Sequence, residues 1–143
     1  MSGIAILLAL TLAGAGVETE TELPYSQDDL YCLAHIIGAE AGDDNCTHEH
    51  RIAVGSVVLN RVASDIYPDT IQEVVFQPGQ YSPTWNGSYD KEPSEDSWAV
   101  AEYLLTEGSQ IPEDCLFQAE FPQGSGTWKT FTTVYGTTYI CYR

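Results

Sequence analysis

From Ser26 onward, apolar residues fall at helical spacing. Leu30, Leu33, Ala34, Ile37 and Ala41 recur three and four positions apart and stack along one flank of a helix. Ser26 stands where an N-cap is needed, Asp28 and Asp29 occupy the acid-favouring first turn, and Gly42 ends the helix. The stretch DDNCTHEH that follows reads as a loop. A second helix is predicted over residues 50–62. Its Ile52, Ala53, Val54, Val57, Val58, Leu59 and Val62 cover most of the circumference, which makes it the central buried helix. Tyr67-Pro68-Asp69 breaks the chain, and Asp69 with Gln72 matches a capping box for a short helix over 70–76. Residues 77–93, QPGQYSPTWNGSYDKEP, hold three prolines and two glycines together with Tyr81, Trp85 and Tyr89. A long loop this rich in aromatics suits a binding surface better than a passive linker. Ser94 caps a fourth helix to about residue 107, with Trp98, Ala101, Leu104 and Leu105 facing inward. Beyond Gly108 the period changes. CLFQAEF (115–121) and TTYICYR (137–143) alternate and read as strands, with GSGTW between them as a turn. Helices first and a small sheet last predict an α+β fold, without internal repeats.

The chain before this pattern is of a different kind. An apolar run from Ile4 to Ala13, followed by Ala13-Gly14-Ala15, reads as a signal peptide over residues 1–16, although its start carries no Lys or Arg. Ten or so apolar residues are too few to span a bilayer comfortably. Residues 17–25 read as a polar linker and 26–143 as one domain. That organisation places the protein outside the cytoplasm, secreted or held at the cell wall and without strong membrane association once the leader is removed.

Charge narrows the partners. The 143 residues include 21 Asp and Glu against five Lys and Arg, for a formal net charge of −16. Without a basic stripe to replace phosphate counterions, nucleic-acid binding is excluded as a reading, and so is charge-driven attachment to anionic lipid. Four cysteines, Cys32, Cys46, Cys115 and Cys141, form an even set in a chain read as exported, so disulfides are expected. Pairing Cys32 with Cys46 and Cys115 with Cys141 keeps each bridge within one structural unit. No CxxC pair is present to favour zinc.

Glu40 raises a physical question, because it follows Leu33 and Ile37 by seven and three residues and so lies beside the apolar flank of the first helix. It is either a last-turn glutamate bending into solvent, or a carboxyl kept from full hydration, whose raised pKa would let it hold a proton near neutrality and act as a general acid. His48-Glu49-His50 invites a metal reading, but in a loop before a helix the two His do not share a direction. His35, five residues before Glu40, lies on another face. No HExxH, GxSxG, Walker or Rossmann pattern is present. Tyr81, Trp85 and Tyr89 serve equally as core residues or as platforms for neutral sugars.

Read together, AEAG and the block IAVGSVVLNRVASDIYPDTIQEVVFQPGQYSP resemble the cell-wall hydrolase family typified by spore cortex-lytic enzymes of the SleB and CwlJ type. That family's pattern is a short EA motif, a helix ending in LNRV, then FPNTI, a V-(Y/F)-QP step and a G-Q-F-S loop. The counterparts here are Glu40-Ala41, Leu59-Asn60-Arg61-Val62, Tyr67 to Ile71, Phe76-Gln77-Pro78 and Gly79-Gln80-Tyr81-Ser82. Leu116-Phe117, Trp128 and Tyr139 to Tyr142 fit the family's tail. The resemblance implies a small lysozyme-like domain, mainly helical with a short C-terminal antiparallel sheet. It implies a lytic transglycosylase or muramidase-type hydrolase that cuts peptidoglycan between N-acetylmuramic acid and N-acetylglucosamine. Glu40 would be its acid and base, with no cofactor, no metal and a monomeric state. Gln80, Tyr81 and Ser82 would line the glycan cleft, with Asn60 and Arg61 buttressing that loop. Two features depart from the family: Gly42 stands where an Arg usually follows EA, and the loop to Ile52 is about two residues longer and carries Cys46. The choice between water and the sugar's own C6 hydroxyl as nucleophile turns on a second carboxylate, for which Asp43, Asp44, Glu49 and Asp90 are candidates. A binding module without turnover and a metal-dependent cell-wall amidase are the alternative readings.

Overall fold

The computed structural model describes residues 6–10 and 18–143. The expected leader cleavage site at Ala13-Gly14-Ala15 lies outside the described residues. Strand β1, Ile6–Leu10, pairs antiparallel with β2, Glu18–Glu22, so a strand occupies part of the segment read as a linker.

Helix α1, Gln27–Ala41, starts with a complete capping box. Ser26 Oγ accepts from Asp29 N at 3.0 Å while Asp29 Oδ2 accepts from Ser26 N at 3.3 Å. Helix α2, His48–Ala63, begins two residues earlier than predicted, because Thr47 is a competent N-cap whose Oγ1 accepts from His50 N at 3.1 Å. The His48-Glu49-His50 triplet is therefore the first turn of a helix and not a loop. Helix α3, Ile71–Val75, is capped by Thr70 rather than Asp69, and the side chain of Gln72 reaches Asp29 on α1 instead of closing a box. The aromatic loop is partly ordered by α4, Pro83–Asn86, and a 3-10 turn at Ser88–Asp90, before α5, Glu95–Glu107, begins at the expected Ser94 cap.

Three strands follow: β3, Cys115–Ala119, β4, Gly126–Thr133, and β5, Gly136–Tyr142. They form an antiparallel sheet in the order β3-β5-β4. The turn expected at GSGTW is present at Gly124 and Ser125, but the sequence pattern missed β4, whose TWKTFTT alternates without a buried face and which a second turn, at Val134 and Tyr135, joins to β5.

Helix α2 organises the interior as its all-round apolar surface predicts. Val54 and Val58 face one cluster, packed with Leu33, Ile37, Val74, Val100 and Leu104 from α1, α3 and α5. One residue earlier, Ala53 and Val57 face a second cluster with Cys115 and Ile140 of the sheet. The helical layer and the sheet are thus pinned to adjacent flanks of one helix, which confirms the α+β architecture. His35 is buried in the helical layer. Its Nδ1–H donates to the Tyr89 carbonyl and ties the 3-10 turn onto α1.

All four cysteines are free thiols, so neither expected bridge is present. Cys32 faces the Tyr89 hydroxyl, and burial pushes its thiol up to about 11. It precedes the C-terminal end of α1 by nine residues, or about 14 Å of helix rise, whereas Cys46 sits on the loop beyond that end. Cys32 thus lies more than two helical turns inside α1 while Cys46 belongs to the loop that follows it. Cys115 and Cys141 are nearer but point to opposite faces of the sheet. Cys115 packs with Ile140 against α2, and Cys141, the next residue along β5, turns toward Thr127 Oγ1.

Candidate active site

Glu40 occupies the last turn of α1, one turn beyond the fully buried Ile37 and two beyond Leu33. The carboxyl emerges half-buried at the floor of a cleft of about 840 Å³. On one side, Gln118 Nε2 of β3 donates to Glu40 Oε2 at 3.5 Å. On the other lies Arg61, near the end of α2. Desolvation dominates and pushes the Glu40 pKa up from 4.5 to about 7; the Arg61 guanidinium lowers it, and the Glu120 carboxylate raises it again. The carboxyl therefore holds its proton near neutrality, the state required of a general acid.

Arg61 is buried and fully engaged. Its Nε donates to the Leu116 carbonyl at 2.7 Å and its Nη1 to Gln80 Oε1 at 3.4 Å. Its guanidinium lies 4.7 Å from the ring centroid of Tyr67 and 5.3 Å from that of Tyr81. These contacts tie the end of α2 to the Gly79–Ser82 loop. Gln80, Tyr81 and Ser82 all line the cleft. Tyr81 is buried rather than an open platform, and its hydroxyl has no partner among the described residues. Burial pushes its pKa up to about 12, so it remains a hydrogen-bond donor.

Asn60 does not reach this loop or the cleft. Its Nδ2 donates to the Pro112 and Cys115 carbonyls, at 2.9 and 3.1 Å, and fastens the start of β3 to α2. Its place in the LNRV run points it to the sheet flank of α2, one residue from Arg61 and therefore on a different face.

Of the candidate second carboxylates, Asp43 lines the cleft and Asp44, Glu49 and Asp90 do not. Glu49 pairs outward with Lys129 at 3.2 Å. The sequence reading missed Glu120, which does line the cleft, and Gln118. The strand's alternation carried a signal for both, because they follow the buried Leu116 at two-residue steps. The two His of the HEH triplet diverge, with His48 bonded to Asp96 and His50 stacked on Phe131 at 4.8 Å. No group of three or more His, Cys, Asp or Glu among the described residues is arranged to hold a metal. Burial raises the pKa values of Cys32, Cys46 and Cys115, which disfavours their thiolate forms.

With this geometry in place, the sequence profile of the cell wall hydrolase family matches residues 47–139. The chain belongs to the cell wall hydrolase family. Glu40 precedes the matched segment, so its placement rests on α1 and the cleft. Among relatives of this cell wall hydrolase, the spore cortex-lytic enzyme of Oceanobacillus iheyensis is 34% identical over 71 residues, which cover 50% of this chain and 25% of that protein. That of Bacillus subtilis is 28% identical over 71 residues, or 50% of this chain and 23% of that protein. The chain thus spans about a quarter of the length of the curated relatives it matches. The solved catalytic domain of the germination-specific lytic transglycosylase SleB from Bacillus anthracis superposes with a TM-score of 0.62 at 20% identity, covering 81% of this chain and 96% of that one. The catalytic domain of the Bacillus cereus SleB protein gives 0.61 at 20% identity, covering 81% of this chain and 91% of that one. Both likenesses establish a shared fold for this cell wall hydrolase.

Proposed function

We propose that this cell wall hydrolase cuts the glycan strands of peptidoglycan between N-acetylmuramic acid and N-acetylglucosamine, with Glu40 acting first as acid and then as base. One observation carries the reading: a half-buried carboxyl, its pKa raised to about 7, on the floor of a cleft large enough for several sugars. Protonated Glu40 donates to the glycosidic oxygen as the C1–O bond breaks and an oxocarbenium-like centre develops. The carboxylate left behind is stabilised by Arg61. It then takes the proton of the muramic acid C6 hydroxyl as that oxygen bonds to C1, which gives a 1,6-anhydro product. Gln118 suits both states: its Nε2 donates to the carboxylate, and its Oε1, buried and unpartnered among the described residues, is open to accept from the acid.

Gln80, Tyr81 and Ser82 form the glycan-facing loop in this scheme, Gln80 and Ser82 reaching the strand while the buried Tyr81 ring and Arg61 hold the loop. Asp43, Glu92 and Glu120 share the cleft; Glu92 accepts from Trp98 Nε1, which leaves Asp43 and Glu120 as the freer carboxylates through which water could be activated instead. Membership of a cell wall family supports an extracytoplasmic place of action, and no helix among the described residues is long and apolar enough to cross a membrane. Mass spectrometry of digested peptidoglycan tests the scheme, because anhydro ends are one water lighter than reducing ends. Anhydro-muropeptides from the wild type, with at least about a hundredfold less from Glu40→Gln, are expected. Full activity in Glu40→Gln would overturn it.

A further inference from the structure

Two large aromatic side chains stand open in the cleft, where the apolar effect alone would not leave them. Trp85, on α4, is 61% exposed, and Tyr135, at the turn between β4 and β5, is 75% exposed. Both line the same cleft as Glu40. They come from separate elements, one from the loop wall that holds Tyr81, the other from the sheet wall that holds Gln118. Glu40 lies between these walls, bonded to Gln118 on one side and within the field of Arg61 and Tyr81 on the other. Around Tyr135 the sheet wall presents Thr133, Thr137 and Thr138, which are hydroxyls without charge. An exposed ring framed by hydroxyls matches a sugar, whose axial C–H groups stack on the ring face while its hydroxyls exchange hydrogen bonds. Elsewhere on the surface, Tyr31 stacks on His35, Phe76 meets Tyr89 edge-on, and Tyr103 and Phe121 stand outside the cleft, whereas Trp85 and Tyr135 line it with no ring partner among the described residues.

We propose that Trp85 and Tyr135 are the two sugar platforms of the cleft, one on each wall, binding neutral saccharide units on the two sides of the linkage presented to Glu40. The proposal rests on the glycan-cleaving reading and adds how the strand is gripped. It makes the β4–β5 turn part of the substrate site, and it sets a minimum length, since a fragment too short to reach both rings forfeits one of them.

The test uses the full chain with Trp85→Ala, Tyr135→Ala and the ring-keeping Trp85→Phe and Tyr135→Phe. Tyr103→Ala serves as a control, its ring exposed outside the cleft. Steady-state rates are measured on soluble uncrosslinked glycan strands. Binding of N-acetylglucosamine oligomers of increasing length is measured by calorimetry in a Glu40→Gln background. Each Ala change is expected to raise KM and Kd about tenfold with kcat within about twofold, the double change by considerably more, and the Phe variants to recover most of the loss. Long oligomers should lose more affinity than short ones. Unchanged KM and Kd in either Ala variant of a protein that binds glycan overturns the platform assignment, as does a loss confined to kcat. Oligomer binding that depends on both rings, without any strand cleavage by the wild type, upholds the platforms and overturns only the catalytic reading. No oligomer binding by the Glu40→Gln protein overturns the platforms, and if the wild type also fails to cleave strands both readings fall.

Discussion

Replacing Glu40 by Gln should make the protein more stable as it makes it inactive. The acid is held at about 7 against an ordinary 4.5 chiefly because α1 and the cleft floor remove it from water. Between those two pH values the folded state binds a proton that the unfolded state has released, so stability falls as pH rises from about 4.5 to about 7 and is flat beyond. At 1.36 kcal/mol per tenfold change, the full penalty above pH 7 is about 3 kcal/mol. Gln has nearly the same shape, keeps a partner in Gln118 and never ionises, so Glu40→Gln should recover that amount at pH 8 and almost none at pH 4. For a domain of this size, 3 kcal/mol corresponds to roughly 10 °C in melting temperature. Calorimetric scans of both proteins from pH 4 to 8, beside their rates on peptidoglycan, provide the check. Equal melting temperatures at pH 8, or a less stable Gln variant, would show that the carboxyl is hydrated and would remove the physical basis for its acid role.

Four further outcomes follow from the same structure. Glu120→Gln removes the carboxylate that raises the Glu40 pKa, so the alkaline limb of the pH–rate profile should move to lower pH without loss of the maximal rate. Asn60→Ala leaves the Pro112 and Cys115 carbonyls without their donor and should cost about 1–3 kcal/mol in urea unfolding, while KM and the pH profile stay fixed. Gly55→Ala sets a methyl 2.5 Å from Leu104 Cδ1 and 2.8 Å from Ile37 Cδ1, both in side chains with no free space to turn into, and should destabilise by about 1–3 kcal/mol in the same assay. Because the chain carries −16 and muramyl strands carry carboxylates, kcat/KM should rise as added salt shortens the screening length from about 30 Å at 0.01 M to about 8 Å at 0.15 M.

The helical half of the fold was legible because its signals are local. Ser26, Thr47, Thr70 and Ser94 each cap through a hydroxyl three residues from its target, and only the choice of cap at Thr47 and Thr70 shifted the boundaries by a residue or two. The sheet was half legible. Strands β3 and β5 alternate because one face packs on α2, but β4 is an edge strand exposed along most of its length, so the pattern that marks a half-buried strand was absent from it. The disulfide expectation failed for a geometric reason, since cysteine parity carries no information on which way a side chain points. In Cys115 and Cys141 that direction separates two thiols on neighbouring strands.

The site divides along the same line. Glu40, Arg61 and the Gly79–Ser82 loop lie in or beside the segments whose spacing is read from neighbours in sequence, and they converge in space. What the sequence did not reveal comes from the sheet and its turns, where Gln118, Glu120 and Tyr135 reach the cleft only because α2 carries the sheet on a flank adjacent to the one that packs on α1. The raised pKa of Glu40 depends on that arrangement. One wall of the cleft is helical, fixes the carboxyl and desolvates it. The other is the sheet, which brings the amide that hydrogen-bonds it and the carboxylate that raises its pKa further. A change that loosened the sheet from α2 while sparing α1 should therefore lower the Glu40 pKa toward an ordinary glutamate before it unfolds the domain, since hydration of the cleft floor requires only that one wall move.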